Sequence, residues 1–262
     1  MNILENIIAD KRKEVALKKS THPVRNFEQM PLFNSVRRSM KQSLLKQEST
    51  GIIAEFKRRS PSKGIINVNA DVAEVTAAYA QYAAGISVLT DEPYFGGSND
   101  DLISAKKTVN IPLLRKDFIV DEYQLYEARA IGADVILLIA ANLSVQKVKN
   151  LSQTAKELEL EVLLEIHNEE ELGHICDDVT MIGVNNRNLK TFLVDINTSL
   201  HLINKLPKEK PAIAESGISE IETIVTLRSA GFKGFLIGEN FMKHTKPSVA
   251  FIQFVNQLKE TT

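Results

Sequence analysis

The chain is poor in cysteine, and this absence excludes two kinds of cross-link. Its 262 residues include one cysteine, Cys176. A single thiol cannot build an internal disulfide framework or a metal site made of several cysteines, and such sparing use is typical of a reducing compartment. We interpret Cys176 as chemically inert.

Charge and hydropathy argue against two classes of partner. The 32 Lys and Arg residues are matched by 33 Asp and Glu residues, giving a formal net charge of −1. There is thus no surplus of cations to bind nucleic acid. The apolar run 135–141 has the length of a strand, and none reaches the roughly 18 to 20 residues that cross a bilayer. Charges also interrupt the helical spacing of Ile3, Leu4, Ile7 and Ile8, unlike a signal peptide. We expect a cytoplasmic protein that binds neither nucleic acid nor membrane.

No segment divides the chain or marks it as a nucleotide-binding protein. It has no short repeat, no low-complexity tract, no Pro/Gly/Ser-rich linker, no Walker loop and no GxGxxG motif. Its length suits one α/β barrel. We predict a single domain over residues 1–262, with a helical extension at 1–48 that covers one end of a barrel at 49–262.

Eight short β-rich runs alternate with longer stretches of helical periodicity. Near-continuous apolar runs are typical of parallel strands buried on both faces, and parallel strands need crossover connections. The runs are 51–57, 87–91, 112–117, 135–140, 161–166, 181–186, 211–216 and 234–239. The pattern predicts an α/β fold, either a (β/α)8 barrel or a doubly wound sheet.

Polar residues at the ends of these runs favour the barrel. Each run begins apolar and ends polar, and the C-terminal ends of barrel strands meet at one mouth, whereas an open sheet would scatter them. The residues concerned are Glu55, Lys57, Lys116, Asp117, Glu165, Asn185 and Glu215. Side chains two apart share a face of a strand, so Glu55 and Lys57 should both point inward.

Lysines and carboxylates that share a pocket can supply an acid and a base near neutral pH. Burial and mutual attraction shift their pKa values in opposite directions. The alternative is a structural ion-pair network that fills the mouth. Because such a network is costly to bury and these groups come from different strands, we favour a catalytic site.

Two glycine-containing turns predict a phosphate site. AESGIS (214–219) and LIGENF (236–241) follow the seventh and eighth runs, where barrels commonly bind phosphate through backbone N–H groups. Alternatively, Gly217 and Gly238 are only turn glycines. A metal site is not expected, because His167 has no second histidine nearby in sequence, and we interpret it as a loop residue or one that supports the site from behind.

Several long motifs together resemble the indole-3-glycerol-phosphate synthase family of tryptophan biosynthesis. They occur in order along the whole chain: IIAEFKRRSPSKG (52–64), YFGGS (94–98), LLRKDFIVDEYQLYEARAIGADVILLI (113–139), LLEIHNEEEL (163–172), IGVNNRNLKTF (182–192), AESGI (214–218) and LIGENFMK (236–243). The resemblance implies ring closure of 1-(2-carboxyphenylamino)-1-deoxyribulose 5-phosphate to indole-3-glycerol phosphate, with loss of carbon dioxide and water and without a cofactor.

The resemblance also implies roles for individual residues. Lys116 matches the family's general acid, Glu165 its general acid/base, and Lys57 a residue that contacts the substrate's charged groups. Glu55, Asn185 and Glu215 match orienting positions. The implied substrate-binding residues are Ser60, Pro61, Phe95 and Phe118 on the anthranilate side, Arg187 beside the ribulose hydroxyls, and Ser216, Gly217, Gly238 and Glu239 at the phosphate. Glu239 departs from the small residue of some relatives, so its carboxylate must turn away from phosphate.

Two other functions fit the same fold. A sister barrel such as phosphoribosylanthranilate isomerase would use the same phosphate turns, but it would rely on an Asp and Cys pair, and Cys176 lies outside any strand end. A catalytically inactive binding protein would lack a strand-end lysine or glutamate, and none is missing here. A monomer is the default expectation.

Overall fold

Eight parallel strands form a closed barrel in the computed structural model, which describes residues 3–261. The strands are β1 (Ile52–Phe56), β2 (Gly85–Leu89), β3 (Leu113–Lys116), β4 (Val135–Ile139), β5 (Glu161–Ile166), β6 (Met181–Asn185), β7 (Ala212–Glu215) and β8 (Gly234–Ile237). Each strand pairs with its neighbours along the chain, and β8 closes against β1. The prediction of a (β/α)8 barrel is therefore confirmed.

Helices surround the barrel and precede its first strand. They are α1 (Ile3–Thr21), α2 (Val24–Glu28), α3 (Met40–Leu45), α4 (Val72–Tyr79), α5 (Glu92–Phe95), α6 (Asn99–Thr108), α7 (Tyr123–Ile131), α8 (Val145–Glu157), α9 (Asn197–Leu202), α10 (Ile221–Ala230), α11 (Glu239–Met242) and α12 (Pro247–Thr261). Short 3-10 helices lie at Ala140–Asn142, Glu169–His174 and Ile203–Lys205, and Arg59–Ser60 pairs with Gly64–Ile65 in a small hairpin. Within residues 3–261, no helix is long and apolar enough to span a membrane.

The second strand begins and ends two residues earlier than the sequence indicated. It was predicted at 87–91, but it spans Gly85–Leu89, and Gly85 pairs with Ile53 of β1. A Cβ at Gly85 would collide with the side chain of Met40. Glycine, which in the sequence resembles a turn residue, is therefore needed where α3 packs against this strand. Asp91 belongs instead to the start of α5, where its Oδ1 accepts the N–H of Tyr94 at 2.9 Å.

The core consists of two layers, because successive side chains on a strand point to opposite faces. Ile53, Leu114, Leu163 and Ile213 fill the barrel interior, together with other buried residues of the strands. Their sequence neighbours pack outward against the helices in a larger cluster. Burial of each of these side chains stabilises the fold by about 1.5 to 3 kcal/mol.

The N-terminal helices lie at both ends of the barrel: α3 covers the end where the strands begin, and α1 borders the cavity at the opposite mouth. Met40 and Leu44 of α3 join the interior cluster at the end where the strands begin. The carboxylate of Glu161, at the start of β5, accepts the backbone N–H groups of Met40 at 2.8 Å and Lys41 at 3.1 Å. In contrast, α1 contributes Ile3 to the wall of the cavity at the opposite mouth.

A buried ammonium group fixes α1 at that mouth. Lys11 has a side chain only 3% exposed, and its Nζ lies 2.9 Å from Asp91 Oδ2, 3.1 Å from Asp117 Oδ1 and 2.8 Å from Glu14 Oε2. Asp117 also accepts a hydrogen bond from Arg115 Nη2 at 3.0 Å. Burial acts to raise the pKa of Asp117, but Arg115 and Lys11 outweigh it and hold this pKa well below its usual range. The cluster couples α1 to the end of β3.

Candidate active site

A cavity of about 530 Å³ opens where the C-terminal ends of the strands meet. Every candidate residue from the sequence contributes to its wall: Glu55, Lys57, Ser60, Pro61, Phe95, Lys116, Phe118, Glu165, Asn185, Arg187, Glu215, Ser216, Gly217, Gly238 and Glu239. The barrel therefore brings together groups that lie as far apart as the first and last strands.

The alternation of side chains along β3 separates Lys116 from its two neighbours. Leu114 packs in the barrel interior, so Lys116, two residues later, points into the cavity on the same face. Arg115 instead binds the carboxylates of Asp117 and Glu127 in the buried cluster behind the strand. Of the two polar residues that end this strand, Lys116 is thus the one whose charged group faces the site's carboxylates, and Asp117 anchors the wall behind it.

Lys116 bridges two carboxylates across the mouth of the barrel. Its Nζ donates to Glu165 Oε2 at 3.0 Å and to Glu215 Oε2 at 2.9 Å. Burial acts to lower the pKa of Lys116, but Glu165, Glu215 and Glu55 outweigh it and raise this pKa above its ordinary value. The lysine is therefore an ammonium ion at neutral pH, as a proton donor must be.

The two carboxylates bound to Lys116 differ in their affinity for protons. Burial acts to raise the pKa of Glu165, but Lys116 and neighbouring donors lower it well below its ordinary value. For Glu215, burial dominates and raises the pKa to about 7, while Glu165 adds repulsion. Oε1 of Glu215 is buried and has no hydrogen-bond partner among the described residues. One carboxylate is thus ionised and the other close to half-protonated at neutral pH, a division that suits acid/base work.

Asn185 orients Glu165 from the neighbouring strand. Its Oδ1 accepts the backbone N–H of Arg187 at 3.0 Å, which turns Nδ2 toward Glu165 Oε1 at 3.1 Å. Glu55 and Lys57 form a second pair in the cavity, with 2.7 Å between Oε1 and Nζ. Both therefore point inward, as their spacing on β1 predicted.

One side of the cavity is built from the turns after β7 and β8. Ser216 and Gly217 both have left-handed backbones, with φ of 66° and 75°. A Cβ at Gly217 would also collide with Val194, so glycine is required there. The carbonyl of Ser216 accepts a hydrogen bond from Asn186 Nδ2 at 3.1 Å, which fixes the turn.

Three cations line the cavity near these turns, and only one of them was predicted from the sequence. Arg187 was a candidate, whereas Lys63 and Lys243 were missed although both line the cavity. Glu239 lies 3.5 Å from Lys63 Nζ and 3.9 Å from Arg187 Nη2, so its carboxylate is occupied by these cations. Both missed lysines lie within the motifs quoted above, where a basic residue beside a phosphate turn was the available signal.

The opposite side of the cavity is apolar. The rings of Phe95 and Phe118 lie with their centroids 6.0 Å apart. Ile3, Leu4 and Ile7 of α1 complete this wall. Their helical spacing was visible in the sequence, but it could not show that α1 docks on the mouth.

His167 and Cys176 have contrasting positions. Nε2 of His167 lies 3.2 Å from Glu165 Oε1, and Nδ1 lies 3.2 Å from Glu171 Oε2. In the described part of the chain, no cluster of three or more His, Cys, Asp or Glu side chains is arranged to hold a metal ion. Cys176 packs against the outer core and does not line the cavity.

Comparisons with known proteins give a consistent family. Residues 4–254 match the family model described as indole-3-glycerol phosphate synthase. A protein of that name from Bacteroides thetaiotaomicron is 48% identical over 259 residues, which cover 98% of this chain and 99% of the relative. One from Chromobacterium violaceum is 43% identical over 254 residues, covering 95% and 96%.

Solved structures show the same fold at much lower identity. A mutant tryptophan synthase alpha-subunit from Pyrococcus furiosus superposes with a TM-score of 0.63 at 15% identity, covering 81% of this chain and 99% of the other. This similarity bears on the barrel alone. The family follows from the sequence relatives and the matched model: the chain belongs to the indole-3-glycerol phosphate synthase family.

Proposed function

We propose that this chain converts 1-(2-carboxyphenylamino)-1-deoxyribulose 5-phosphate to indole-3-glycerol phosphate by general acid/base catalysis, with loss of carbon dioxide and water. The observation that carries the proposal is the position of Lys116. Its Nζ lies 3.0 Å from Glu165 Oε2 and 2.9 Å from Glu215 Oε2, in a cavity with one cationic and one apolar side. The substrate has matching parts: a phosphate, a sugar carbonyl and an aromatic ring.

Lys116 acts in ring closure. The benzene carbon that carries the carboxylate is a weak nucleophile, so the sugar carbonyl must be polarised before a carbon–carbon bond can form. The ammonium of Lys116 donates to the carbonyl oxygen and transfers its proton as that oxygen becomes negative. Carbon dioxide then leaves with its bond electrons going to the ring, which restores aromaticity. The apolar wall near Phe95 and Phe118 favours this expulsion of a carboxylate.

Glu165 acts in the dehydration that follows. The hydroxyl formed at the former carbonyl must leave as water, and a proton must leave the new five-membered ring. Glu165 is ionised at neutral pH and can therefore accept the ring proton. Glu215, whose pKa is about 7, lines the same cavity as Lys57, and either residue can supply the proton for the leaving hydroxyl.

The remaining groups bind the substrate. Backbone N–H groups at Ser216–Gly217 and Gly238 receive the phosphate, with Lys63, Arg187 and Lys243 providing positive charge around it. Glu55 and Asn185 orient Lys57 and Glu165, respectively. The wall of the cavity comes from one chain, so we propose that a monomer suffices, and that the protein is cytoplasmic.

An isomerase of phosphoribosylanthranilate type is less well supported. It would need a cysteine and an aspartate at the mouth, and Cys176 does not line the cavity.

The proposed function is tested by supplying the carboxyphenylamino substrate to pure protein and measuring both indole fluorescence and released carbon dioxide. We expect the two products to form in equal amounts. Absence of both signals above background would refute the proposed function.

A further inference from the structure

His167 is largely buried beside the cavity and lies between two carboxylates. It follows β5, two residues after Glu165, and its side chain is 10% exposed. Nε2 lies 3.2 Å from Glu165 Oε1, and Nδ1 lies 3.2 Å from Glu171 Oε2. Nε2 has no other partner among the described residues, so the imidazole is aimed at Glu165.

A built turn fixes the imidazole in this position. Oδ1 of Asn168 accepts the N–H of Glu171 at 3.2 Å and begins the 3-10 helix Glu169–His174. Oε2 of Glu171 accepts the backbone N–H of His167 at 2.7 Å and contacts Nδ1 of the same residue. Glu171 thus holds the backbone and the ring of His167 together, which directs Nε2 toward Glu165.

We propose that His167 is a positioning residue that keeps Glu165 ionised and correctly oriented when Lys116 gives its proton to the substrate. This inference rests on the proposed function, in which Glu165 is the base of the dehydration. His167 does not line the cavity, so it acts through Glu165 and not on the substrate.

The reason lies in how the charges around Glu165 change during the reaction. Before substrate binds, Oε2 of Glu165 faces Lys116 of β3, and Oε1 faces Asn185 of β6 and His167. Glu215 of β7 faces the same ammonium, and Glu171 lies behind the imidazole. When Lys116 transfers its proton to the carbonyl oxygen, it becomes a neutral amine and Glu165 loses its ammonium partner. The imidazolium, 3.2 Å from Oε1, then opposes protonation of this carboxylate.

The imidazole is charged at the pH where the enzyme must work. Burial acts to lower the pKa of His167, but its contacts with Glu165 and Glu171 outweigh burial and raise the pKa to about 10. A neutral imidazole could orient Glu165 but would do little to lower its proton affinity. The two functions of His167, charge and orientation, can therefore be separated by substitution.

Two variants separate charge from orientation, and a nearby histidine provides the control. His167→Gln removes the charge but keeps a donor near the position of Nε2, whereas His167→Asn reaches only the position of Nδ1 and loses the contact with Glu165. His174→Gln is the control, because His174 belongs to the same 3-10 helix but contacts the carbonyls of Glu171 and Leu143. The measurement is kcat and KM as functions of pH.

We expect both His167 variants to move the acidic limb of kcat to higher pH by about one to three units, the effect of losing one nearby opposite charge. His167→Asn should also lose up to about 10²-fold in kcat, because Glu165 is no longer oriented, whereas His167→Gln should lose less. KM should be unchanged in both. An acidic limb that stays at its wild-type pH, or a kcat loss no larger than that of His174→Gln, would overturn the inference.

A measurement on the unmodified protein covers the case in which these variants do not fold. Proton–nitrogen NMR of the wild-type imidazole should show His167 doubly protonated at about pH 8, two units below its pKa of about 10. A neutral ring at that pH would refute the inference. If wild-type protein does not turn over the substrate, the proposed function fails, whereas the NMR result still decides whether His167 is a charged partner of Glu165.

Discussion

The replacement of Lys11 by methionine removes the buried ammonium that fixes α1 to the barrel mouth while keeping a side chain of similar length. Lys11 is 3% exposed and lies within 3.1 Å of both Asp91 and Asp117, whose side chains are 1% and 2% exposed. The variant leaves two buried carboxylates without this cation. Glu14, at 2.8 Å, is 34% exposed and can turn to solvent, so it contributes little.

The expected cost follows from the burial of the pair. Removal of one partner of a buried ion pair destabilises a protein by about 3 to 5 kcal/mol. Asp117 keeps its hydrogen bond from Arg115, so we expect the lower end of this range. For a chain of this size, about 3 kcal/mol corresponds to a fall of about 5 to 10 °C in Tm. If α1 undocks by itself, the same energy appears as roughly 10²-fold faster amide exchange in α1.

The assay combines guanidinium denaturation with amide hydrogen exchange, and the control is Lys13→Met. Lys13 belongs to the same helix and pairs with Asp10, but its side chain is 80% exposed, so no measurable change is expected.

The stability that Lys11 contributes should also depend on pH, because the pKa of Asp117 is lowered in the folded state. The difference in free energy of unfolding between wild type and Lys11→Met should be present above the unfolded pKa of about 3.9 and be lost as the pH falls below it. An unchanged unfolding midpoint together with unchanged α1 exchange would refute the reasoning.

Two further substitutions test the active site. Glu215→Gln removes the carboxyl group whose pKa is about 7, so we expect an inflection of kcat near neutral pH in the wild-type protein and none in the variant. The same pH profile in both proteins would contradict a role for Glu215 in proton transfer. Gly217→Ala adds a Cβ to a residue whose φ is 75° and places it against Val194, so the variant should distort the phosphate turn. Steady-state kinetics should show KM raised far more than kcat is lowered, and an unchanged KM would argue against a phosphate site there.

The barrel and the convergence of its polar residues were predictable because both depend on local patterns. Apolar runs of strand length gave eight strands, and the alternation along the first strand indicated that Glu55 and Lys57 point inward. The displaced second strand shows where this reasoning ends. Gly85 resembles a turn residue, and only its pairing with Ile53 and its closeness to Met40 make it part of β2.

Contacts that depend on how distant segments dock could not be predicted. The helical spacing of Ile3, Leu4 and Ile7 showed an amphipathic helix, but not which end of the barrel it covers. Similarly, the sequence placed Lys116 and three carboxylates at one mouth without showing that Glu165 and Glu215 are its two partners. That pairing depends on the curvature and register of the closed barrel, which bring the end of β3 within reach of β5, two strands away, and of β7 on the opposite side.

The central claim is that Lys116 is the acid that polarises the sugar carbonyl, and Lys116→Ala tests it most directly. We expect kcat to fall by about 10² to 10⁴-fold, as loss of a general acid does, while the substrate still binds. Lys63→Ala, which alters a cation of the phosphate side of the same cavity, should instead raise KM and retain most of kcat. The decisive measurement is kcat of Lys116→Ala with the carboxyphenylamino substrate at saturation. A loss of at least about 10²-fold supports the assignment, and near-normal turnover contradicts it.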